Sequence, residues 1–140
     1  MILVAKILLT IAAIQFGFIP LIVDFTETHV FHPDWPPHAR FHLVWLLCLG
    51  AALSLYIIYT IWIRSKQHPE ALRQSSLIGC IVLSAFFVAA IFKSVYGGSL
   101  TDLKEPLKVF GIDGNVFSFS IASLFQILGT AIAWNKTKNI

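Results

Sequence analysis

The chain has 140 residues, of which 57% are hydrophobic and only 12% charged, with a formal net charge of +3. A soluble domain carries about twice that charged share, so the composition excludes an ordinary water-soluble enzyme. It also holds one domain rather than two. The small basic surplus lies beside apolar runs and is no nucleic-acid footprint; in such a setting it reports orientation in a bilayer.

Four apolar runs follow in chain order, at 2–23, 42–63, 77–96 and 116–134. Each is near the ~20 residues that carry a helix across ~30 Å of hydrocarbon. Lipid offers the backbone no partner, so helices are the expected form, and the alternation of a membrane barrel is absent. The expected fold is all-α: a polytopic, up-down-up-down four-helix transmembrane bundle forming a single domain over 1–140.

The first run is broken only by Lys6 and Gln15 and has no small-residue cleavage site. It reads as a retained span rather than a signal peptide, kinked near Pro20. The connection at 64–76 carries Arg64, Lys66 and Arg73, and the C-terminal tail carries Lys136 and Lys138. The connection at 24–41 holds one basic residue, Arg40. Both termini and the connection at 64–76 are therefore expected on the cytoplasmic side, with Trp62 and Trp134 in an aromatic belt there. The membrane would be a bacterial inner membrane or, in a eukaryote, the endoplasmic reticulum. In the connection at 97–115, Ser99 and Asp102 have the spacing of a helix cap, and Asp113-Gly114 reads as a turn. Small residues four apart (Gly50 and Ser54, Cys80 and Ser84, Ala85 and Ala89, Gly129 and Ala133) suit close helix crossings. Cys48 and Cys80 fall near opposite faces and are expected unpaired.

The chemistry-bearing stretch is 24–42, which holds four of the five histidines with Asp24, Glu27, Asp34 and Arg40. Asp34-Trp35-Pro36-Pro37 reads as a helix start. His38 and His42 then share one face, four residues apart, with Trp45 continuing it and Arg40 pointing the other way. Three readings stay open. In one, His38 and His42 with Asp24 and Glu27 perform acid–base chemistry on a lipid-like molecule, because histidine titrates near neutrality and burial raises a carboxylate. Its binding would involve His29, Trp35, Arg40, Trp45, Gln15 and Gln126. In another, His38, His42 and His32 hold a divalent metal, although no established metal motif is present. In the third, the residues cap a helix and anchor the interface of a non-catalytic subunit or scaffold, with Arg40 paired to Asp24 or to lipid phosphate. No cofactor is named by the sequence. The expected partners are the bilayer, a lipid-like ligand and, in the scaffold reading, another copy or a partner membrane protein.

The run Thr28-His29-Val30-Phe31-His32-Pro33-Asp34-Trp35-Pro36-Pro37-His38-Ala39-Arg40-Phe41-His42 resembles the signature of a family of small, uncharacterised four-helix membrane proteins. That resemblance implies the fold and the place of the site and names no reaction. A looser likeness is to the sterol isomerase and sigma-2 receptor group, by analogy only. Two spatial expectations follow from the residues. His38 and His42 should point into the bundle with Trp45 beneath them. The connection at 97–115 should fold over 24–41 as a partial lid, with Lys104 or Lys108 meeting Asp24, Glu27 or Asp34.

Overall fold

The computed structural model describes residues 1–101 and 107–137. The apolar runs become α1 (Ile2–Gly17), α2 (Ile19–Val23), α3 (Pro37–Trp62), α4 (Ala71–Phe92) and α5 (Gly114–Lys136). α1 passes into α2 through Phe18, just before Pro20, whose ring removes a backbone donor, so the kink lies where the sequence places it. Four helical spans are long and apolar enough to cross a membrane: Ile2–Val23, Pro37–Lys66, Ala71–Tyr96 and Gly114–Lys136. The molecule is an up-down-up-down four-helix membrane bundle.

Three boundaries differ from the apolar runs, for one reason. Hydropathy marks only the part of a helix that meets hydrocarbon, while the helix continues into its polar first turn. α3 therefore starts at Pro37 rather than 42, and α4 at Ala71 rather than 77. Arg73, expected in a connection, sits in the first turn of α4. α5 starts at Gly114 because Asp113 caps it, accepting from the backbone N of Asn115 (2.9 Å) and Val116 (3.2 Å). The Asp113-Gly114 turn is thus a helix cap. α4 ends in a 3-10 turn at Lys93–Tyr96, which places Lys93 at an exposed helix end. Gly97 stops it with φ 68°, a left-handed conformation that glycine adopts without strain.

One element lies outside the all-helical expectation. β1 (Lys108–Val109) and β2 (Ile112–Asp113) pair antiparallel, Lys108 opposite Asp113 and Val109 opposite Ile112. The turn uses positive φ at Phe110 (53°) and Gly111 (81°), as a two-residue hairpin loop requires. Ser99 Oγ donates to the Thr101 carbonyl (2.8 Å) in a local turn. Its expected partner Asp102 lies outside the described residues.

In the bundle, α1 packs on α5 and α3, and α4 packs on the same two helices. The core runs through Ala5, Leu9, Ala13 and Phe16 of α1 to Ile57, Ile61, Leu72, Leu83, Ala122 and Ala133. Two of the four small-residue pairs make helix crossings. Ser54 Oγ donates to the Ala13 carbonyl (2.8 Å), and a Cβ on Gly17 would come within 2.8 Å of the Gly50 carbonyl. A Cβ on Gly129 would lie 2.9 Å from Leu9 Cγ. Ser84, Ala85 and Ala89 are exposed instead. Cys48 and Cys80 are both free thiols.

The two ends of the bundle differ. At one end, Trp62 Nε1 donates to Thr10 Oγ1 (2.9 Å), Trp134 Nε1 to Ser76 Oγ (3.0 Å), and Arg73 Nε to Thr137 Oγ1 (2.6 Å). Lys6 lies over the Trp62 ring and Arg73 over the Trp134 ring. This basic end ties the start of α1 to the end of α3, and the start of α4 to the end of α5. The opposite, histidine end carries α2, the loop to Pro36, the start of α3, the 3-10 turn and the hairpin. Neither α2 nor the 3-10 turn contains a buried residue.

Candidate functional site

At the histidine end the chain leaves α2 at Val23 and folds back on itself before α3. Backbone N–H groups of His29 and Phe31 donate to the Thr26 carbonyl, Val30 to Asp24, and Trp35 to His32. Val30 is the buried anchor of this loop. Arg40 staples its second half. Its guanidinium donates to the carbonyls of His32 (2.6 Å), Pro33 (3.3 Å) and Trp35 (3.1 Å). Arg40 is therefore a strut that satisfies loop carbonyls, and not the partner of Asp24 that one of the three readings offered beside lipid phosphate.

In this loop Asp24 pairs with His29. His29 Nε2 lies 3.8 Å from Asp24 Oδ1, with both side chains about a quarter to a third exposed. His29 Nδ1 meets Thr28 Oγ1 at 2.8 Å, and Thr28 Oγ1 in turn meets Thr26 Oγ1 at 2.9 Å. Burial pushes the Asp24 carboxyl above the usual aspartate range, and the neighbouring His29 charge pulls it part of the way back. The Trp35 ring flanks His29 and His32, its centroid about 6 Å from each. Glu27 is exposed on the same loop. The result is a carboxylate facing an imidazole at ion-pair distance, with the far ring nitrogen hydrogen-bonded through Thr28 to Thr26.

His38 and His42 do not join them. Their Nε2 atoms meet at 3.0 Å, but both side chains are exposed, and Trp45, expected to shield them, is 59% exposed. The reason lies in the register of α3. Leu47, Ser54 and Ile61 are its buried stripe, seven residues apart. Arg40 falls on that same period and turns inward, while Trp45, nine residues before Ser54, is rotated by about 180°. His38 and His42 travel with Trp45. Choosing Ser54 as the crossing residue, which the small-residue spacing already allowed, assigns this correctly. Among the described residues no three His, Cys, Asp or Glu side chains converge as a metal site, so His32 does not join the histidine pair.

Gln15 and Gln126 act between helices. Gln15 Nε2 donates to the Ser118 carbonyl (2.7 Å), and Gln126 Nε2 to the Ser76 carbonyl (2.8 Å) and to Thr130 Oγ1 (3.2 Å). Gln126 is buried against Gly79, and these bonds join α5 to α4. Gln15 lines an open lateral groove of about 400 Å³ with Ile11, Ile14, Ile19 and Ser118. For the lid, Lys108 is exposed and forms no ion pair among the described residues, and Lys104 lies outside them. Thr28 and Ser118 join these contacts without a motif of their own; the one signal in the sequence is that Thr28 stands next to His29.

Residues 8–137 match the model of a family of unknown function, DUF6640, and the chain belongs to that family. No curated protein and no solved structure matches it.

Proposed function

We propose that this member of the family takes an amphipathic, lipid-like molecule from the bilayer and presents its polar head to Asp24 and His29. The observation that carries this reading is the pair itself: a half-buried carboxylate at the end of a membrane span, held above the usual aspartate range by burial and facing an imidazole. Ionisable groups at membrane depth are expensive to keep, which makes them the first place to look for function. The Asp24 carboxyl and the His29 ring nitrogen face a head group together, and Thr28 holds the other ring nitrogen. Trp35 walls the pair, and Arg40 keeps the loop in shape. The groove along Ile11, Ile14 and Ile19 offers the apolar tail a bed open to lipid, with Gln15 and Ser118 as its polar points. The lysine and arginine bias supports a cytoplasmic basic end, with this site on the opposite face.

The test is native mass spectrometry of the full chain released from membranes in mild detergent. A small apolar molecule should be retained by the wild type and lost from Asp24→Asn and His29→Gln, while His68→Gln keeps it. No retained molecule, or equal retention in all four proteins, contradicts the reading.

A further inference from the structure

The exposed histidine pair has no role in that site and is a chemical feature of its own. His38 and His42 lie in the first two turns of α3, one helical turn apart, with ring planes at 90° and Nε2 atoms 3.0 Å from each other. Both side chains open outward. We propose that His38 and His42 chelate one divalent late first-row metal ion, Cu(II) ahead of Zn(II), through their two Nε2 atoms, with water completing the coordination.

The spacing carries the argument. Two ligand nitrogens at about 2.0–2.1 Å from a metal are about 2.9 Å apart when cis on a square plane and about 3.3 Å apart on a tetrahedron. The observed 3.0 Å falls between these values; the two nitrogens face each other, so each ring has to turn by about 35–45° for both lone pairs to meet on an ion. Without metal the same contact is an N–H···N hydrogen bond, with one ring carrying its proton on Nε2. Metal binding moves that proton to Nδ1 of the same ring, and both Nε2 lone pairs become available. The backbone is already set, since Pro36 and Pro37 begin the helix and Arg40, on the opposite face, fastens it to the preceding loop. Trp45 stands one turn below, its ring centroid 6.0 Å from that of His42, and leaves the pair open to solvent. Imidazole nitrogen suits copper and zinc rather than calcium or magnesium, and the general affinity order places Cu(II) first. With two protein ligands the ion keeps its remaining positions for water.

The experiment uses the full chain in lipid nanodiscs, carrying no polyhistidine tag. Cu(II) titration is followed by electron paramagnetic resonance, and Zn(II) titration by calorimetry. One equivalent per chain is expected, with hyperfine structure from two imidazole nitrogens. His38→Asn and His42→Asn should each weaken binding about tenfold or more, whereas His32→Asn and His68→Asn leave it unchanged. Because the pair is exposed, the variants should elute as the wild type does. Asp24→Asn and His29→Gln should keep the metal, so this site and the lipid site fail or stand separately. Binding that survives in both single variants, no binding by folded wild type, or one ion shared between two chains would each overturn the proposal.

Discussion

The two ends of this bundle spend their polar groups differently. At the basic end Trp62, Trp134 and Arg73 donate across helices to Thr10, Ser76 and Thr137, so side chains are consumed in holding spans together. At the histidine end Arg40 and the threonines bond within their own loop, and His29, Asp24, His38 and His42 keep faces open to solvent or lipid. Interhelical hydrogen bonds in membranes contribute about 0.6–2 kcal/mol each, enough in number to fix one end. An end with few buried contacts opens locally at low cost, which is the property a binding site needs. The difference teaches that function is to be sought where polar groups are held but not used up.

The comparison breaks most sharply if the basic end tolerates crowding. Gly129→Val places new atoms against Leu9 and the Ala5 carbonyl. It should cost about 1–3 kcal/mol and lower the thermal midpoint in detergent by several degrees. Phe110→Ala, at the 91% exposed hairpin tip, should leave the midpoint unchanged. The two arginines sharpen the contrast. Arg73→Ala should destabilise the whole bundle by about 1–2 kcal/mol. Arg40→Ala should leave the midpoint nearly in place but raise amide exchange across 29–36, read by hydrogen-exchange mass spectrometry.

A smaller effect is expected from pH. The folded state raises the Asp24 pKa, so the stability Asp24 contributes is present in full below the ordinary aspartate range. It is lost as pH rises through the raised value. Asp24→Asn stays neutral and escapes that loss, so thermal midpoints of the two proteins should coincide in acid and separate, with the variant higher, toward neutrality. Coincident curves throughout would remove burial as the cause of the shift. The smallest effect belongs to His68, paired with Glu70 at 3.2 Å on the exposed basic loop. His68→Gln should leave the midpoint unmoved, since exposed pairs contribute little.

The spans were legible because a bilayer imposes length and apolarity together; runs at 2–23 and 116–134 differ from the observed spans by no more than the polar turns at their ends. The kink at Pro20 was legible from a missing donor. What escaped is facing. Four-residue spacing correctly joined His38 to His42 and separated Arg40, but it could not say which set turned inward, because both faces of α3 are apolar over most of their length. The seven-residue stripe of Leu47, Ser54 and Ile61 decides it, and it sends the polar arginine in and the histidines out. The Asp24–His29 contact escaped for another reason: it depends on a loop folded by its own backbone bonds, which has no periodicity to read.

The central claim is that lipid-like molecules engage the histidine end through Asp24 and His29. Photo-crosslinking of the full chain in nanodiscs with a diazirine-bearing fatty acid, mapped by peptide mass spectrometry, tests it directly. Saturable crosslinks should concentrate within residues 11–36, compete with unlabelled fatty acid, and fall at least severalfold in Asp24→Asn and His29→Gln. Crosslinks spread evenly over all four spans, or unchanged in both variants, would contradict the account.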